Sequence, residues 1–213
     1  MSADQLPNHV VYSKNVIEFI TVTAETCLFL ERSSDLERDD FILKSIKLLP
    51  LLYLKASLVE TPTSVFDEGV ERFVTEADYQ FVREQLEALL GNDDGYLEVF
   101  HPDMALSDTP IAAFISENLA DVYQELKDFA ANYQLGEVDI MNDALVVCLE
   151  AFAEHWGQKL LNALRALHSI RYNDNFAITD DIDDLATENK KLDRNSFLNF
   201  QQEEEDDLGT LLI

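Results

Sequence analysis

Glycine and proline are scarce, at 6 and 5 of 213 residues. Turn-rich β architectures draw heavily on both, so the scarcity points to helices. There are only two cysteines, Cys27 and Cys148, each inside an apolar helical pattern and without metal-ligand or redox spacing. They read as two buried free thiols. Bases are few beside acids: 15 Lys and Arg stand against 42 Asp and Glu, a formal net charge of -27. That charge repels nucleic acid and anionic membrane surfaces and favours solubility. No apolar run approaches the ~20 residues of a membrane span. The opening MSADQLPNHVVYSKN lacks the basic-then-apolar order of a signal peptide. A soluble, cytoplasmic protein is therefore expected, with no nucleic acid and no membrane as partner. A phosphate-binding glycine loop and a G-x-S-x-G turn are also missing, so neither nucleotide cradling nor serine hydrolysis is suggested.

What the chain does contain is helical periodicity. Its clearest stretch is Ser107 to Tyr133, SDTPIAAFISENLADVYQELKDFAANY. Asp108 or Thr109 can cap it, and Pro110 suits the first helical position, where no N–H is needed. Ile111, Ile115, Leu119, Val122, Leu126, Phe129 and Tyr133 recur at spacings of three and four, which makes one apolar stripe. Glu117, Asp121, Gln124 and Asp128 fall on the opposite side and read as a solvated row.

Four further helices follow from the same reasoning. Residues 9–31 form the first, with a face at 10, 13, 17, 20, 24, 27 and 31; Val, Ile and Thr there also suit a strand, but length without Gly or Pro favours helix. The second runs from Asp39 to Val59, and Pro50 inside it predicts a kink or break near Leu49. Residues 60–74 hold at most short helical turns. The third, Glu76 to Leu90, opens on Thr75 and Asp78 as a capping pair and closes at Gly91. An extended piece at Tyr96 to Phe100 precedes the organising helix. After a reversal at Leu135, Gly136 and Glu137, the last helix runs from Val138 to Arg171. It buries Met141, Leu145, Phe152, Trp156, Leu160 and Leu167 on one face and sets Asp143, Glu150 and Glu154 on the other.

The fold class is thus all-α, an antiparallel helical bundle of five or six helices in residues 1–171 with an acidic C-terminal extension over 172–213. The extension carries 12 acids and 3 bases; residues 61–171 carry 21 and 6, and residues 1–60 only 9 and 6. The near balance at the N-terminal end suggests structural ion pairs. A hairpin about residues 32–38 sets Glu25 opposite Lys44 or Lys47, and Glu18 near Lys55.

The segments YLEVFHPDM, SDTPIAAFISENLADVYQELKDF and HWGQKLLNALRALH resemble a bacterial family of small acidic all-helical proteins catalogued as a domain of unknown function. The likeness spans about residues 10 to 171. It implies bacterial origin and an all-α fold, and it assigns no reaction and no residue a role.

No catalytic group, cofactor or metal ligand set stands out. A di-iron bundle needs Glu-x-x-His pairs on two helices; among His9, His101, His155 and His168, Glu98 and His101 make the single such pair, so a di-iron bundle is not suggested. NDDG at 92–95 reads as a plain turn. The candidate interaction surface is Glu117, Asp121, Asp128, Glu150 and Glu154, fitted to a protein partner or a second copy. The alternative is a metal-dependent hydrolase, nucleotide pyrophosphatase-like, whose Glu117, Asp121, Glu150 and Glu154 would have to converge in one cleft around magnesium. In the extension, Leu208, Leu211, Leu212 and Ile213 follow EEEDD and form a candidate docking tail, expected to pack on the same chain or an identical one.

Overall fold

The computed structural model describes residues 9–67, 69–98 and 111–173. Its helices are α1 (Lys14–Glu31), α2 (Arg38–Ser57), α3 (Glu76–Leu90), α4 (Ile115–Gln134), α5 (Val138–Ala151) and α6 (Gly157–Asn173). A short antiparallel hairpin pairs β1 (Gly95–Glu98) with β2 (Ile111–Phe114) in the register Gly95↔Phe114 to Glu98↔Ile111. The fold is all-α apart from this pair.

Helix α4 is the hub. It packs on α1, α3, α5 and α6, while α2 leans on α1 and α6. Its stripe Ile115, Leu119, Val122, Leu126 and Phe129 is buried, as the spacing predicts. Phe19 of α1 stacks on Phe129 with ring centroids 5.3 Å apart, and Phe129 meets Tyr133 edge-on at 5.7 Å.

The start of α4 departs from expectation. Ile111 to Phe114 are strand, and the helix begins at Ile115. Its cap comes from a distant turn. The buried Asp94 carboxylate accepts the Ser116 amide at 2.7 Å and the Ser116 hydroxyl at 2.6 Å, while the Ile115 amide donates to the Asp94 carbonyl at 2.9 Å. The NDDG turn is therefore also a helix cap, answering amides that no residue of α4 could reach. Asp108, Thr109 and Pro110 lie outside the described residues.

The first helix buries Val16, Phe19, Thr23, Thr26, Cys27 and Leu30, so the predicted face at 17, 20 and 24 is turned outward by about one position. Val, Ile and Phe surround this helix, and two stripes satisfy the spacing; the Phe19–Phe129 stack decides between them. Helix α2 continues through Pro50 from Arg38 to Ser57 without the predicted break. Pro50 is exposed, so its ring meets solvent rather than a neighbouring helix. In α3 the capping box between Thr75 and Asp78 is present, and Gly91 ends the helix at a positive φ of 56°.

Helices α5 and α6 form one rod, joined by a π turn at Phe152–Trp156. The wider turn rotates Trp156 fully into the core, where its indole N–H donates to the Cys148 carbonyl at 2.8 Å and its ring lies 4.7 Å from that of Phe152. Gly157 follows because nothing larger fits. A Cβ there would stand 2.5 Å from the Phe152 carbonyl oxygen and 2.9 Å from its ring.

Candidate functional site

The acidic residues divide by depth. Glu117, Glu150 and Glu154 are exposed, and among the described residues no hydrogen bond or ion pair engages them. Asp121 is half-buried. It accepts the Tyr79 hydroxyl at 3.0 Å and the Lys159 ammonium at 3.2 Å, which ties α3 and α6 to α4. Burial and the adjacent carboxylate of Asp121 push the Tyr79 phenol up, so it stays a donor.

Asp128 does not belong to a solvated row. It is only 5 % exposed and accepts the amides of Phe73 at 2.7 Å and Val74 at 2.8 Å, with Arg72 at 3.3 Å. Asp143, also placed outward by its spacing, is 1 % exposed. It accepts the amides of Val65 at 2.7 Å and Phe66 at 2.6 Å, the Ser64 hydroxyl at 2.9 Å, and the Asn142 side chain at 3.0 Å. Burial alone would raise its pKa, but these donors outweigh burial and hold it below the ordinary carboxylate range.

Both aspartates serve the connector between α2 and α3. Residues 60–74 contain no helix or strand among those described, so their backbone groups need partners from elsewhere. Asp143 holds one part and Asp128 the other. Asn142 donates to the Thr63 carbonyl and Asn132 to that of Glu71, each at 2.8 Å. A segment that reads as a weak helix is a strap, clasped by side chains of α4 and α5. The helical face of Asp128 and Asp143 is opposite the main stripe, but opposite does not mean wet where a strap crosses it.

The N-terminal ion pairs are half as expected. Lys55 binds Glu18 at 2.7 Å, and this contact with the Lys55 ammonium lowers the Glu18 pKa. Glu25 and Lys44 are both exposed, and no ion pair joins Glu25 to Lys44 or Lys47 among the described residues. Those positions look outward, so their charges are solvated without each other. The buried-side acid of α1 is Glu31, whose Oε1 accepts Lys127 at 2.6 Å and the Tyr123 hydroxyl at 2.9 Å.

The strap shapes a pocket of about 290 Å³ lined by Glu31, Phe73, Val74, Asp78, Phe81, Tyr123 and Lys127. Its polar floor comes from α1 and α4, its apolar wall from the end of the strap and from Phe81 of α3. Sequence spacing could not reveal it, since its residues come from four elements. The one local sign was Phe81, a large apolar side chain that the α3 stripe leaves 56 % exposed.

Cys27 and Cys148 are buried and free. Burial pushes the Cys27 thiol up to about 12 and the Cys148 thiol up likewise, so neither offers a thiolate. Among the described residues no three His, Cys, Asp or Glu side chains gather in a metal-holding group, and no helix is long and apolar enough to cross a membrane. The tail residues Leu208, Leu211, Leu212 and Ile213 lie outside the described residues.

No curated protein matches the chain. Among solved structures it is similar to protein BF1032 from Bacteroides fragilis, at 46% identity and a TM-score of 0.70, covering 77% of this chain and 96% of that one. The family described as Domain of unknown function (DUF5063) matches residues 10–173, the span over which YLEVFHPDM, SDTPIAAFISENLADVYQELKDF and HWGQKLLNALRALH carry the resemblance, and the chain belongs to that family.

Proposed function

We propose that the protein is a non-enzymatic interaction module, acting in the cytoplasm, whose exposed carboxylates hold a basic protein partner. The observation that carries this reading is the division of the acids by depth. The inner ones are engaged by backbone amides, Tyr79 and Lys159, while Glu117, Glu150 and Glu154 are exposed and have no ion pair among the described residues. Charges left in that state contribute little to stability and much to steering and selecting a partner of opposite sign. The hydrolase alternative requires Asp121 at a metal, but its two oxygens are taken by Tyr79 and Lys159.

The test is partner isolation from the bacterium that expresses the chain, using the full-length protein and the triple variant Glu117→Gln, Glu150→Gln, Glu154→Gln. A basic protein recovered by the first and lost by the second, in a salt-sensitive manner, is the expected result. Equal recovery by both would remove the acidic surface from the account.

A further inference from the structure

The pocket between α1, the strap, α3 and α4 has features that the acidic-surface reading does not use. It contains two carboxylates, Glu31 and Asp78, and one ammonium, Lys127. Lys127 and the Tyr123 hydroxyl both converge on Oε1 of Glu31; Oε2 of Glu31 accepts nothing among the described residues. Asp78 uses Oδ2 for the amide and hydroxyl of Thr75, and its Oδ1 is likewise without a donor. Glu31 and Asp78 both line the concavity, each with one carboxylate oxygen that has no donor among the described residues, and the lining carries one negative charge in excess.

The remaining lining is largely apolar. Phe73 and Phe81 are 38 % and 56 % exposed and, with Val74, bound the same space. Phe73 and Val74 are not there by the chance lie of a loop, because the buried Asp128 fixes both of their amides. The volume falls at the small end of the ~300–1,000 Å³ typical of ligand pockets.

We infer that this pocket binds a monocation with a short apolar or aromatic body, a primary amine whose ammonium reaches Glu31 Oε2 and Asp78 Oδ1 while its body lies against Phe73 and Phe81. An ammonium supplies donors to both acceptors and neutralises the excess charge, and the aromatic faces add attraction to the cation and burial for the body. An anion finds no free counter-charge on the lining: Lys127 is paired with Glu31, and the Thr75 and Asp78 amides at the start of α3 are taken by the capping box. The same chemistry belongs to a free arylalkylamine and to a lysine side chain of a partner protein.

Calorimetric titration of the full chain with 2-phenylethylamine, 2-phenylethanol and 3-phenylpropionate tests the inference. The amine should bind with a dissociation constant below ~1 mM, the alcohol at least tenfold more weakly, and the carboxylate not at all. Glu31→Gln should weaken the amine tenfold or more. Because that change also loosens Lys127, Phe81→Ala serves as a second variant: its ring is mostly exposed, so the fold should persist while amine affinity falls several-fold. Nα-acetyl-lysine amide, titrated alongside, separates the sources; tighter binding than 2-phenylethylamine assigns the pocket to a partner's lysine, weaker binding to a small amine. Equal affinity for amine and alcohol, binding of the carboxylate, or no heat from either amine at ~10 mM would overturn the inference. These outcomes do not depend on Glu117, Glu150 or Glu154, so this proposal and the acidic-surface reading fail separately.

Discussion

At the scale of single residues, the chemistry of the described region rests on where each carboxylate finds its donors. Asp143 is the clearest case. Its folded pKa lies below the ordinary 3.8 because two amides and two side chains donate to it. A depressed folded pKa contributes stability that is complete above the unfolded value and is lost as pH falls through the folded one. Asp143→Asn should therefore lower the melting temperature near pH ~7, by about 1–3 kcal/mol in stability. The gap between variant and parent should narrow as pH drops below 3.8. Melting curves over that range check it, and a gap that stays constant with pH would detach the effect from the charge. None of this was legible beforehand. Asp143 carries the same charge and takes the same helical face by spacing as Glu150 and Glu154, and Asp128 stands likewise beside Glu117 and Asp121. What distinguishes them is the strap, whose 60–74 sequence carries no periodicity of its own.

At the scale of elements, helices with one apolar stripe were readable and helices with two were not. From Ile115 onward the stripe of α4 came through, as did most of that of the α5–α6 rod, since polar residues marked their other sides. Helix α1 has Val, Ile or Phe on both sides, so its burial was fixed by its neighbours, among them the ring of Phe129 against Phe19 and that of Phe41 against Phe29. The first turn assigned to α4 became β2 because pairing with Gly95–Glu98 satisfies its backbone, a long-range gain that local capping signals cannot report. The π turn was also hidden, as one extra residue hardly disturbs a spacing of three and four. Gly157 is its mark. Helix propensity alone favours Gly157→Ala by up to ~1 kcal/mol. The contact with the Phe152 carbonyl at 2.5 Å opposes this with an overpacking cost of ~1–3 kcal/mol. The clash should win, and Gly157→Ala should melt lower than the parent. A higher melting temperature would mean that the π turn relaxes to a regular helix at no cost.

At the scale of the whole molecule, a formal charge of -27 has to be arranged so that the fold survives its own repulsion. The described region does so by turning some acids inward onto amides and cations and leaving others in water. The inner set is structural, and the outer set is the one proposed to meet a partner. Thermal unfolding of two neutralised proteins tests this division most directly. Asp128→Asn with Asp143→Asn should lose at least about 2 kcal/mol, or several degrees at ~2–4 °C per kcal/mol for a chain of this size. Glu117→Gln with Glu150→Gln and Glu154→Gln should melt at the parent temperature or slightly above it, because removing unpaired like charges relieves repulsion. The reverse order, with the outer variant melting low and the inner one unchanged, would contradict the account.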